Sequence, residues 1–191
     1  MGAQITREDL RRIEAGIGEK YAKVAASPEA QFKYPTGRKG LEALNYEKEL
    51  IDKLPGAVAS YYCGVGNPFS LGKINPGEQV LDVGCGAGVD TILAAIMTGS
   101  KGSATGVDIV TRMIARADNN LQMMNLGNVT FQKTSGGDLP FTDDTFDVVT
   151  SNGVINLIPD KEAVLLEILR VLAVPQRQKV PCFGQKNQQR P

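Results

Sequence analysis

The residues best placed to do chemistry are Asp82, Gly84, Gly86 and Gly88, in an Asp-x-Gly-x-Gly-x-Gly run, with a second carboxylate at Asp108. Glycines at alternate positions let the backbone turn through positive φ and bring main-chain N–H groups against a ligand at a helix N-terminus. An acidic side chain about 20 residues further on, at the end of the next strand, can accept from both hydroxyls of a ribose. The chemistry is therefore that of holding a nucleoside. The spacing argues against two common versions of it. The dinucleotide fingerprint G-x-G-x-x-G would need its third glycine where Val89 stands, and no Gly-Lys-Ser/Thr follows to make a phosphate loop.

Elements of a particular kind must position these residues. Val80–Val83 is a short apolar run entering the glycines, and Thr91–Met97 leaves them as an apolar stretch long enough to continue a helix. That is buried strand, tight turn, helix. Ala104–Asp108 reads as a second strand, followed by a helix from about Thr111 through Met113, Ile114, Ala117, Leu121 and Met124 to a stop at Gly127. Asn128–Phe131 reads as the third strand and Phe146–Asn152 as the fourth, with a helix from Lys161 to Leu172. Every strand is followed by a crossover, so the sheet is expected to be parallel with its ligand at the carboxyl ends of the strands. Gly84–Gly88, Asp108, Ser135–Gly136 and Ser151–Asn152 all fall on that edge.

The N-terminal third is helical in pattern. Thr6-Arg7-Glu8-Asp9 reads as a capping box with Asp in the place of Glu, ahead of apolar residues at Leu10, Ile13, Ile17, Tyr21 and Val24. Gly16 and Gly18 each cost that helix roughly 1 kcal/mol against Ala, so packing must hold it. A second helix is expected from about Leu41 to Leu54, ended by Pro55-Gly56. Tyr61-Tyr62-Cys63-Gly64-Val65-Gly66-Asn67-Pro68-Phe69 reads as an ordered loop, either covering a site or anchoring the segment to the core.

Composition bounds the rest. In 191 residues, 21 Lys plus Arg balance 21 Asp plus Glu, which gives no argument for nucleic acid or an anionic membrane. No apolar run approaches a membrane span and the first residues are polar, so the expected location is the cytoplasm. The three cysteines, Cys63, Cys85 and Cys182, fit neither a disulfide framework nor a zinc site, and no metal is expected. With no histidine, proton abstraction would fall to a carboxylate, a tyrosine or water.

Asp82-x-Gly84-x-Gly86-x-Gly88 resembles the first motif of the class I S-adenosylmethionine-dependent methyltransferases. With Tyr61-Tyr62, Gly66-Asn67-Pro68, Ser151-Asn152-Gly153-Val154-Ile155-Asn156-Leu157 and Pro159-Asp160-Lys161, the stretch from about Phe32 to Leu172 is similar to the arsenite methyltransferase group. The resemblance implies a Rossmann-like α/β sheet of order 3-2-1-4, an S-adenosyl-L-methionine cofactor and a small-molecule acceptor. It implies Asp82, Gly84, Gly86 and Gly88 at the methionine end, Asp108 on the ribose, and Ile109, Ser135 and Gly136 around adenine. Asn152 is placed near the transferring methyl group. Ser135 occupies the position where the family usually has an acid for the adenine amino group, with Asp138 either a substitute for that acid or a turn residue beside Leu139.

Two departures accompany the resemblance. Arsenite enzymes of this group hold trivalent arsenic on thiolates, soft ligands for a soft acceptor, and the corresponding positions here are Val65 and Gly153. After Leu172 the family's Lys-Pro-Gly-Gly turn and fifth strand are replaced by a basic, glutamine-rich stretch, expected to be disordered. The expected organisation is a helical segment and site cover at 1–70, a cofactor-binding core at 71–172 and a tail at 173–191, as in a truncated or frame-shifted product. The fourth strand would then be an uncovered edge open to self-association. Two other functions fit parts of the sequence: a cofactor-binding remnant without turnover, and an NAD-dependent oxidoreductase.

Overall fold

The computed structural model describes residues 6–173. Four strands, β1 (Gln79–Val83), β2 (Ser103–Asp108), β3 (Val129–Lys133) and β4 (Val148–Thr150), form one parallel sheet of order β3-β2-β1-β4. The central pair carries the register, with Leu81 opposite Thr105 on β2 and opposite Val149 on β4. Val80, Leu81 and Val83 are buried on both faces, as a strand between two neighbours and two helix layers requires.

Among the described residues seven α-helices surround the sheet: α1 (Arg7–Val24), α2 (Gly37–Ala43), α3 (Lys48–Ile51), α4 (Gly56–Ala59), α5 (Val89–Thr98), α6 (Thr111–Gln122) and α7 (Lys161–Val171). α5 is apolar nearly all round and is buried between the sheet and the N-terminal helices, where Ile92 and Leu93 meet Leu41, Ile51, Val58 and Tyr62. α1 begins with the expected box: the Asp9 N–H donates to Thr6 Oγ1 and the Thr6 N–H donates to Asp9 Oδ2. Its far end is fastened to α6, where Arg116 Nε donates to Ala25 O at 3.0 Å and the guanidinium lies 4.4 Å from the Tyr61 ring centroid.

Two elements differ from the sequence expectation. The helix expected over 41–54 is broken into α2 and α3, because Asn45 takes a left-handed φ of 57° and its carbonyl accepts from Asn67 Nδ2. The break turns Tyr46 inward. The fourth strand is shorter than expected, and its edge is not wholly open: Phe146 forms a parallel bridge with Leu172, with the Ala173 N–H donating to Phe146 O at 2.7 Å. Arg170 supports that corner by donating to the carbonyls of Leu139 and Phe141 and pairing with Glu167. On the outer side of α7, Leu165, Leu166 and Leu169 are exposed. The tail expectation for 173–191 lies, beyond Ala173, outside the described residues.

Candidate active site

β1 delivers the site. Its last residues lead into a turn in which Gly84, Gly86 and Gly88 all have positive φ, at 78°, 53° and 81°. The three glycines serve different ends. Around Gly86 nothing would meet an added Cβ within 4 Å, so its open face is bare backbone turned toward a cavity. At Gly84 a Cβ would lie 2.2 Å from Val154 Cγ2, and at Gly88 one would lie 2.5 Å from the Phe131 ring. Gly88 does not line the cavity; a side chain there would part α5 from β3.

The cavity, of about 580 Å³, lies over the carboxyl ends of β1, β2 and β4. Of the sequence-predicted residues, Asp82, Gly84, Gly86, Asp108, Ile109, Ser135, Gly136 and Asn152 all line it. Asp138, a candidate substitute for an adenine-reading acid, does not line it. The loop Tyr61–Val65 lines it too, and so do Leu10, Glu14, Ile17 and Tyr21 on one face of α1. α1 was legible as a helix from its period, but its service as a wall was not, since nothing local says which side of the sheet a detached helix will cover.

The carboxylates are held in distinct ways. Asp108 Oδ2 accepts from the Gly86 N–H at 2.9 Å and Oδ1 from the Val110 N–H at 2.8 Å, so it ties the end of β2 to the glycine turn. A carboxylate has about four lone-pair directions, which leaves acceptor capacity facing the cavity. Asp82, almost wholly buried, takes hydroxyl bonds from Thr91 at 2.6 Å and Thr150 at 3.1 Å, joining β1 to α5 and β4. Desolvation, with the Asp90 charge beside it, pushes the Asp82 carboxyl up to about 7; burial alone is the leading cause for Asp90, raised to about 6. Asp108 is raised as well, chiefly by burial, against the lowering effect of its backbone donors.

Sequence reasoning missed Asp90 and Tyr46. Asp90 stands in the first turn of α5, where a carboxylate suits the helix dipole, and it accepts from Tyr46 Oη at 2.8 Å and Asn152 Nδ2 at 2.9 Å. A buried acid in an otherwise apolar helix was the available signal. Asn152, expected beside the transferring methyl group, has its amide engaged by the protein: Oδ1 accepts from the Val65 and Gly66 N–H groups, and Nδ2 also donates to Gly66 O.

Five carboxylates but a single guanidinium, that of Arg112, are found among the lining residues; apart from Thr111, Thr134, Ser135 and Asn152 the remaining lining is apolar or tyrosyl. Cys63 and Cys85 both line the cavity, and burial raises both thiols, Cys63 to about 12, so neither is a thiolate near neutrality. Among the described residues no group of three or more His, Cys, Asp or Glu side chains could hold a metal ion, and no helix is long and apolar enough to cross a membrane.

Known proteins are similar to this chain in sequence and in fold. The methyltransferase-domain family matches residues 74–177. An arsenite methyltransferase of Halobacterium salinarum is 39% identical over 137 residues, 72% of this chain and 35% of that protein. A demethylmenaquinone methyltransferase of Lactobacillus johnsonii is 34% identical over 66% of this chain and 57% of its own length. The crystal structure of an arsenic(III) S-adenosylmethionine methyltransferase from Chlamydomonas reinhardtii superposes with a TM-score of 0.55 at 34% identity, covering 73% of this chain and 46% of that one. The chain thus spans between about a third and somewhat over half of the length of these curated relatives.

Proposed function

This chain belongs to the class I S-adenosylmethionine-dependent methyltransferases, and on that premise we propose that its cleft transfers a methyl group from S-adenosylmethionine to an uncharged small-molecule acceptor. The observation that carries the proposal is the bare Gly86 turn facing a cavity whose other walls are Asp108, Ile109 and Ser135–Gly136. A side chain at Gly86 would fill that cradle, and the donors and acceptors around it suit a nucleoside that bears no phosphate.

The residues fit the cofactor. The Gly84–Gly86 backbone with buried Asp82 would receive the methionine end, Asp108 the ribose hydroxyls, and Ile109, Ser135 and Gly136 the adenine. When bound, the cofactor supplies an electrophilic methyl carbon on a cationic sulfur. The chain's own work is to orient: proximity and alignment supply most of the rate in such a displacement, without an obligatory acid or base. The tyrosine hydroxyls at the acceptor end have raised pKa values, with desolvation the first cause at Tyr21 and Tyr62, so they are hydrogen-bonding groups rather than phenolate bases. Asp82, Asp90 and Asp108 suit a cationic sulfur and disfavour an anionic acceptor.

Arsenite and demethylmenaquinone are acted on by the named relatives, and the two differ in what this cleft offers them. Val65 and Gly153 give arsenic no thiol, whereas the tyrosyl and aliphatic walls suit a flat apolar ring. We therefore favour an apolar ring compound over arsenite as acceptor. Calorimetric titration with S-adenosylmethionine, with NADH as control, tests the cofactor; methyl transfer to a naphthoquinol and to arsenite then tests the acceptor. No heat with S-adenosylmethionine would refute the proposal, and binding of NADH alone would return the chain to oxidoreductase chemistry.

A further inference from the structure

Two loops form the far wall of the cleft, Cys63–Val65 and Asn152–Val154, and they come from segments almost 90 residues apart, as the Val65–Asn152 separation of 87 shows. One side chain joins them. Asn152 Oδ1 accepts from the Val65 N–H at 3.0 Å and the Gly66 N–H at 3.1 Å, while Nδ2 donates to Gly66 O at 2.8 Å and to Asp90 Oδ2 at 2.9 Å. Two backbone donors on one side and two acceptors on the other decide which amide atom is oxygen, and every hydrogen-bonding capacity of the amide is used.

Asp90 sets that orientation. An ionised carboxylate can only accept, so the amide must turn its NH2 toward Asp90 and its oxygen toward the loop. Tyr46 fixes the other carboxylate oxygen at 2.8 Å, and Tyr62 Oη donates to Gly66 O at 2.9 Å. The space is closed: a Cβ on Gly64 would fall 2.3 Å from Asn152 Nδ2 and 2.6 Å from Tyr62 Oη. Asp90 also belongs to the helix that the glycine turn launches, so the pair connects the cofactor turn to the opposite wall.

We infer that Asp90 and Asn152 are a reciprocal carboxylate–amide pair of positioning residues that hold the Val65–Gly66 segment as the acceptor-side wall of the cleft. That the wall faces an acceptor rests on the methyltransferase reading above; that the pair holds the segment does not.

The test is amide exchange at Val65 and Gly66, followed by NMR on the full chain without cofactor. N152D sets two carboxylates against each other and should speed exchange at both amides at least tenfold, while Leu81 and Val83 in β1 keep their protection. Adding D90N restores an amide facing a carboxylate with the roles exchanged, and D90N/N152D should return both amides to within about twofold of wild type. D90N alone should exchange like wild type, because its new amide can donate to Tyr46 while Tyr46 donates to Gly66 O, 3.1 Å away. N152A removes the acceptor without adding charge and should expose the same two amides, which covers the case in which N152D does not fold. Unchanged exchange in N152A, or a double variant no slower than N152D, overturns the inference. Titration of the same wild-type sample with S-adenosylmethionine separates the two readings: if it fails while the reciprocal rescue holds, the pair stands and the cofactor assignment falls.

Discussion

A Cβ on Gly153 would lie 3.2 Å from Cγ2 of Val65 and 4.0 Å from its Cβ, so these two residues are in contact across the mouth of the cleft. They are the positions at which the resemblance to the arsenite group implies thiols. In sequence they are far apart; the fold brings them face to face. The two occupants are a branched alkyl group and no side chain at all, so the contact offers no thiol.

This geometry predicts the behaviour of V65C/G153C. A Cβ separation of 4.0 Å lies within the range a disulfide spans, so the double variant should cross-link on mild oxidation and, when reduced, bind arsenite where the wild type does not. Gly153 has φ at 78°, so the new side chain costs on the order of 1 kcal/mol of strain. Peptide mapping by mass spectrometry reads the cross-link; its absence after oxidation would mean that the two loops do not meet in solution.

Asp108→Ala should weaken S-adenosylmethionine binding by an order of magnitude or more. The variant removes an acceptor from the cleft and frees the Gly86 N–H that the carboxylate holds at 2.9 Å. Calorimetry gives the result directly, and an unchanged dissociation constant would take Asp108 out of the site.

Gly86→Ala and Gly88→Ala should fail differently. At Gly88 the new methyl group meets the Phe131 ring, and overpacking together with a left-handed φ should cost about 2 to 4 kcal/mol of stability. At Gly86 the methyl group meets nothing in the protein, so unfolding should shift by no more than about 1 to 2 kcal/mol while cofactor affinity falls. Urea unfolding and calorimetry on both variants check this; equal stability losses would contradict the division of labour among the glycines.

The ligand-free protein should become less stable as pH rises from about 5 to about 8. Asp82 and Asp90 have carboxyls raised from 3.8 to about 7 and about 6. In that interval the folded state binds protons that the unfolded chain has released, so the slope of unfolding free energy against pH is negative. The full effect is on the order of a few kcal/mol. Glu167, held down to about 2 mainly by Arg170, acts with opposite sign but only below its ordinary 4.5. S-adenosylmethionine, a cation among these carboxylates, should flatten the decline. Urea midpoints that rise across the interval without ligand would show that burial does not raise these two carboxyls above their ordinary value.

Much of the scaffold could be read from local pattern. Val80–Val83 entering three glycines, followed by Thr91–Met97, specified a strand, turn and helix because apolar runs and positive-φ turns are short-range requirements. Asp108 followed from the rule that ligands lie at the carboxyl ends of parallel strands, and Ser135–Gly136 from the resemblance of their loop to the one that reads adenine. The break at Asn45 was hidden because a helical period continues across it; the residue that selects the left-handed turn, Asn67, lies 22 positions away.

The sequence by itself therefore determined a parallel sheet and its glycine turn, since each is written in contiguous residues whose backbone preferences are local, while the order β3-β2-β1-β4 and the family came through the resemblance that its motifs carry. Tertiary structure alone decided that α1 walls the cleft, that Val65 touches Gly153, that Gly88 serves packing, and that Asp90 orients Asn152. These depend on side chains brought together from distant segments in a medium where an unpaired polar group is costly, and burial of that kind leaves no periodic trace in the chain.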